Sequence, residues 1–522
     1  MLTNCLFKKE NSRMEYIAKH WAILVIMIVY TAFCLGIGQW FKKRAAEGVD
    51  AFYVAKREIP GWAISLAFFS TFISTNTYIG QAGFSFQAGL SWAWVGFYWT
   101  VFCMISWLLL GPRMRVQTAK LSSLTIPDYF DYRYKSTFSK AIRIFSAVII
   151  LFATLWYMTA IAKGCAHLLK STLGMPYAWG AFLVIFVTTL YSVWGGMYSV
   201  LWTDAVQGLI MFFVAILMVM IPAMYVGGWE PLMYSVANTA HLTAKGQPMG
   251  GGLMTFCTLV SFAYITSIGL AVGMKQISEP RCLIRFYSID NAKSMKFAMI
   301  ATPLFLGISL ACVFAVGALV HGMATDQEAA YLVKHTDEVV GFMLAKFGSP
   351  WVTGIVMAGL FAAGMSSYAA VSIIVGTAFV GDIWKVIKPL PQEKQVSYTK
   401  WFMWIYSCIV FILTLYPPAG IVEMTAFSGA VFTAGFFPAV FGGLFLRWGT
   451  GKGAFYSMII GIATTMVWRF GLRFYLPGMK DIHEIIPGFI ISLIAYFIIS
   501  KLTSSDMPDK EHLDHVFHTK TI

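Results

Sequence analysis

The chain has 522 residues, of which 58% are hydrophobic, 16% aromatic and only 12% charged; this excludes an ordinary soluble enzyme and requires a lipid environment. The formal charge of +14 raises nucleic acid as a partner, but the basic residues sit in clusters between apolar runs, which is a topological pattern rather than a binding patch. Eight scattered cysteines, most of them inside apolar runs, form neither a disulfide framework nor a metal-ligand spacing, and the sequence has no phosphate-binding glycine loop to suggest ATP-driven pumping.

Apolar runs long enough to cross a bilayer recur about thirteen times. They lie near 20–40, 61–89, 91–111, 139–169, 176–195, 198–226, 252–273, 295–321, 350–380, 400–417, 420–447, 453–472 and 483–502. The first run has no small-residue cleavage site after it and leads into Lys42, Lys43 and Arg44, so it reads as a retained span; Met14 is an equally good start codon. Of the 38 Lys and Arg residues, 26 fall on alternate connections, among them Arg57, Arg113, Lys275, Arg281, Arg285, Lys385 and Lys520, while the other face carries fewer, such as Lys19 and Lys480. By the positive-inside rule the protein is a multi-pass resident of the cell membrane, with its amino terminus outside and its carboxyl terminus cytoplasmic.

Three stretches stand out against this apolar background. Ser65 to Gly89, SLAFFSTFISTNTYIGQAGFSFQAG, is dense in hydroxyl, amide and glycine residues at a depth where unpaired polar groups cost several kcal/mol each, so it belongs beside protein or a water-filled path. Ile355 to Asp382 repeats the theme in the second half of the chain, and two such segments are the mark of a transporter with a site near the middle of the membrane. Within it Ala363, Ser366 and Ser367 share one helix face; hydroxyls on that face serve either as cation ligands or as helix-packing contacts. Lys163, in WYMTAIAKGCAHLL of the fourth span, is an ionisable group inside an apolar run. It either anchors a solute carboxylate or snorkels to the interface.

The run YSVWGGMYSVLWTDAVQ at Tyr191–Gln207, the phrase FISTNTYIG, the MSS at Met365–Ser367 and LTIPDYF at Leu124–Phe130 together resemble the sodium:solute symporter family over about residues 50 to 500. The resemblance implies an all-α polytopic membrane protein with a LeuT-type core of five helices and an inverted copy of the next five, about 13 transmembrane helices in all. On this reading residues 1–60 form an extra helix and a cytoplasmic loop, 61–226 and 252–447 are the two repeats, 453–502 are two further helices, and 503–522 are a cytoplasmic tail.

The resemblance also implies a sodium site made by Ser70, Ile73, Ala363, Ser366 and Ser367, with Na+ as the coupling ion and no organic cofactor. Asp204 matches the acidic residue of a second sodium site found in some members, but Ala369 and Ala370 replace its hydroxyls, which implies one sodium per solute and leaves Asp204 as a gate or coupling residue. Solute contacts are expected from Ser74, Thr75, Asn76, Thr77 and Gln81 at the first break, from Tyr264 and Ser267 on the seventh span, and from Lys163 and Glu423. EPRCLIRF at Glu279–Phe286 resembles the QPHxxxRF phrase of proline and pantothenate carriers, departing from it at Glu279 and Arg281, and so points away from the sugar branch. The expected function is sodium-coupled import of a small carboxylate-bearing organic solute by alternating access, with no enzymatic activity. The expected partners are the solute and the bilayer, with no nucleic acid and no obligate protein. Alternatives are an amino-acid or sugar symporter, or a transporter-like nutrient sensor.

Overall fold

The computed structural model describes residues 2–475, 479 and 482–518. Lys480 and Lys520 of the charge pattern lie outside the described residues, and the tail expected at 503–522 is described as far as His518. The architecture is all-α. Among the described residues, ten helices are long and apolar enough to cross a membrane: part of α1 (Leu2–Ala45), α4 (Leu90–Lys120), α5 (Ser139–Leu173), α6 (Tyr177–Val226), α9 (Ala292–Val320), α10 (Pro350–Ile387), α11 (Gln392–Leu415), α12 (Ile421–Phe445), α13 (Gly451–Tyr475) and α14 (Ile485–Leu502). The protein is a multi-pass membrane protein.

The 50-residue α6 contains the two runs expected at 176–195 and 198–226. Gly196 divides them with φ 54°, a left-handed conformation open to glycine and costly for other residues. Two further apolar segments are interrupted helices. The first is α2 (Gly61–Phe72), a stretch with extended Ile73, a wide turn over Asn76–Gln81, and α3 (Ala82–Ala88). Its sequence explains the break, because Ser, Thr and Asn side chains offer the backbone local partners that compete with the helix. The Asn76 amide donates to the Ser74 hydroxyl at 3.2 Å and the Ser74 amide to the Thr77 hydroxyl at 3.4 Å.

The second interruption joins α7 (Phe262–Gly273), a tightened turn over Met274–Ile277, non-helical Ser278 and Glu279, and α8 (Pro280–Ser288). Pro280 at the start of α8 has no amide proton to leave unpaired there. The core of the protein forms where α2 packs on α6, α9 and α10, and where α10 lies along α5 and α6. Gly164 and Gly364 let α5 and α10 close on the first interruption: a Cβ at Gly164 would come within 2.7 Å of Thr75, and one at Gly364 within 2.3 Å of the Cys165 sulfur and 3.2 Å of Thr75.

Arg143 closes the face that carries Arg57 and Arg113, pairing with Asp382 at 2.9 Å, Asp128 at 2.8 Å and Asp131 at 3.2 Å. On the same face α15 (Lys510–Phe517) docks through Arg447 to Asp514, Lys135 to Asp509 and Arg133 against the Phe517 ring.

Candidate functional site

The first interruption and the middle of α10 meet through hydroxyl–carbonyl contacts. Ser366 Oγ donates to the Ser70 carbonyl at 2.9 Å and lies 3.4 Å from the Ala363 carbonyl, while Ser367 Oγ reaches the Thr71 carbonyl at 2.9 Å and the Ile73 carbonyl at 3.1 Å. All five residues of the expected sodium set therefore converge, and each is fully buried. The donor set is entirely oxygen and neutral, which suits a small hard cation. Helix spacing puts the serines on one face, and the extended conformation at Ile73 frees the carbonyls that they address.

The expected solute residues divide into two groups. Ser74, Thr75, Asn76, Thr77 and Gln81 are buried around the interruption; Gln81 bridges Asn76 at 3.4 Å and the Trp92 indole at 2.9 Å. Tyr264 and Glu423 instead line a cavity of about 440 Å³ with Phe84, Asp337 and Arg469. Glu423 pairs there with Arg469 at 2.6 Å. Ser267 stands behind that cavity, accepting at 3.4 Å from the backbone amide of His483, one of its lining residues. The Lys163 ammonium donates to the Ala419 carbonyl at 3.3 Å and lies 3.7 Å from Asp337, clasping the connection before α10 to α5 and to the start of α12.

Asp204 is buried on α6, where it accepts from the Thr71 hydroxyl at 2.9 Å and from Arg285 at 2.6 Å. The charge pattern assigned Arg285, Arg281 and Lys275 to a polar connection, but all three are buried at or beside the second interruption. The reason is tertiary: each cation finds a carboxylate or a ring. Glu279 pairs with Arg281 at 2.8 Å and Lys275 at 3.7 Å, and both cations lie over the Tyr157 ring at 4.1 and 4.2 Å. Lys275 also donates to the Thr425 carbonyl at 3.3 Å. Arg281 donates to the Thr71 carbonyl and lies 3.4 Å from Ser367 Oγ, so the two interruptions face each other.

Sequence reasoning missed this charged cluster and Tyr157. A signal was present in the spacing of Lys275 and Glu279, a base and an acid four residues apart. That pattern fits a self-paired segment better than an exposed basic loop. Chemically, the site offers a neutral oxygen cradle on one side and two cations sharing one carboxylate on the other.

The fold has solved counterparts. A Na+-coupled sialic acid symporter in a substrate-bound outward-open state superposes with a TM-score of 0.75 at 17% identity, covering 92% of this chain and 98% of that one. The nucleobase-cation-symport-1 family transporter Mhp1, closed with bromovinylhydantoin bound, gives a TM-score of 0.55 at 13% identity over 90% and 98% of the two chains. Among curated sequences, the sodium/proline symporter of Escherichia coli strain K12 is 29% identical over 494 residues, covering 93% of this chain and 94% of that protein. An osmoregulated proline transporter of Bacillus subtilis strain 168 is 28% identical over 491 residues, covering 92% and 95%. The sequence pattern of the sodium:solute symporter family matches residues 52–461, and the chain belongs to that family.

Proposed function

We propose that the protein is a sodium-coupled importer of a small carboxylate-bearing solute, with a proline-like zwitterion the first candidate because proline is named for the similar bacterial transporters. The observation that carries the reading is the convergence of the Ser366 and Ser367 hydroxyls on the Ser70 and Ile73 carbonyls. Sodium binds among these oxygens and the Ala363 carbonyl. The solute binds beside Ser74, Thr75, Asn76 and Thr77, with Gln81 bracing the turn. Asp204, held by Arg285, ties α6 to α2 as a coupling residue. Tyr264, Glu423 and Lys163 act in the outer entrance, and Ser267 supports its wall.

In this reading the basic face is cytoplasmic and the amino terminus is outside. Dividing α6 at Gly196 and counting each interrupted helix once yields thirteen spans, arranged as LeuT-type inverted repeats at 61–226 and 252–447 with extra helices at the start and at 453–502. Ala369 and Ala370 supply no hydroxyl for a second ion, so one sodium moves per solute. A single charge moved through 100 mV with a tenfold gradient supplies ~3.7 kcal/mol, enough for roughly 500-fold accumulation of a neutral or zwitterionic solute.

The test is uptake of labelled proline and a panel of small carboxylates into proteoliposomes. An imposed sodium gradient should drive accumulation with a Hill coefficient near one. Equal uptake with sodium or choline outside would overturn the sodium coupling, and silence toward every carboxylate would overturn the solute class.

A further inference from the structure

We propose that Arg281 is a tethered cation that competes with sodium for the oxygens between the first interruption and α10. The inference rests on the sodium-site reading above and concerns what else occupies that site. The guanidinium donates to the Thr71 carbonyl and approaches Ser367 Oγ at 3.4 Å, and the same hydroxyl reaches the Ile73 carbonyl at 3.1 Å. A positive group therefore stands one hydroxyl away from the oxygens that would hold the ion. Two unit charges that close in a poorly polarisable interior repel strongly, so sodium and this placement of the guanidinium disfavour one another.

In the same placement Arg281 keeps two further partners. Its Nε faces Glu279 at 2.8 Å, and its planar group lies on the Tyr157 ring at 4.1 Å, a surface along which a guanidinium can shift while keeping a favourable contact. Glu279 is shared with Lys275 at 3.7 Å, so one carboxylate serves two cations and leaves positive charge to be satisfied by the Thr71 carbonyl and the Ser367 hydroxyl. Sodium enters when Arg281 withdraws from those oxygens toward Glu279. A solute carboxylate arriving beside the interruption would draw it the same way, and ion and solute binding would then favour each other reciprocally. The related phrase QPHxxxRF has histidine where this chain has Arg281, so a permanently charged group stands at a position that a neutral ring can fill.

The experiment measures the unfolding temperature of the purified full-length protein in detergent against NaCl, with choline chloride holding ionic strength constant. Wild type should be stabilised only above about 10 mM sodium, since a ligand raises stability once its concentration exceeds the apparent Kd. Arg281→Gln and Arg281→His should each lower that apparent Kd by at least about tenfold, the order expected for removing a like charge a few Å away. Adding Ser366→Ala to either variant should abolish the gain, which ties it to these oxygens. An apparent Kd in wild type below about 1 mM would overturn the inference without any variant, as would an unchanged or weaker sodium affinity in a folded variant. Uptake distinguishes the two readings. Sodium-driven uptake in wild type with unchanged sodium affinity in the variants sinks the tethered cation and spares the symporter. Uptake indifferent to sodium, with strong stabilisation by sodium in Arg281→Gln, does the reverse.

Discussion

The two interrupted helices solve one problem with opposite chemistry. Both expose backbone inside an apolar bundle, where unpaired groups are costly. The first, at Ile73–Gln81, surrounds its break with hydroxyls and amides, and the second, at Met274–Glu279, surrounds its break with Lys275, Glu279 and Arg281. Neutral groups leave carbonyl lone pairs available to an incoming cation. Charged groups are committed chiefly to one another, and their segment meets the neutral one through Arg281 and Arg285, which both donate to Thr71. The pair teaches that one chain can satisfy two buried breaks by different means, with neutral side chains at one and paired charges at the other.

The largest expected effect comes from breaking the link between α6 and the second interruption. Arg285→Ala leaves Asp204 as a buried charge without its guanidinium, and removing one member of such a pair costs about 3–5 kcal/mol. The variant should lose monodisperse folding in size-exclusion chromatography, and adding Asp204→Ala should restore much of it. Normal folding of the single variant would mean that the charged half is less committed than its geometry indicates.

The neutral half is probed by replacing Ser366 and Ser367 with alanine. Apparent sodium affinity should fall at least tenfold, about 1.4 kcal/mol or more, with folding retained because two hydroxyls are removed and no charge is stranded. An unchanged sodium titration of uptake would break the assignment of the neutral interruption to the ion.

A histidine pair braces the far end of the first interruption. His321, just beyond α9, faces the Phe86 carbonyl at 2.8 Å and the His241 ring at 2.7 Å between Nδ1 atoms, and His241 lies 3.5 Å from Asp326. A proton gained by either ring would set a charge among buried partners, so acid should lower the unfolding temperature, and His321→Gln should make that temperature less dependent on pH. An equally steep acid response in that variant would remove this histidine from the account.

The smallest effect is expected at Lys163. Its clasp to Asp337 is partly exposed, and such pairs contribute about 0.2–1 kcal/mol. Lys163→Gln and Asp337→Asn should each have a modest effect on uptake, and the double variant should show less than the sum. A large loss from Lys163→Gln alone would return this residue to direct contact with the solute.

Composition and the spacing of apolar runs determined that this protein lives in a membrane, how its spans are ordered and which stretches are too polar to face lipid, because each of these is a local property. The face shared by Ala363, Ser366 and Ser367 was legible for the same reason, since it follows from helix periodicity alone. The surroundings of Lys275, Arg281 and Arg285 were not. Whether a basic residue after an apolar run is solvated or buried depends on what packs against it, and Arg285 is held by Asp204, 81 positions away in sequence. Lys163 likewise looked isolated until the connection carrying Asp337 folded back over it. A charge inside a membrane protein is placed by its partner, and only the tertiary structure brings the partner to it.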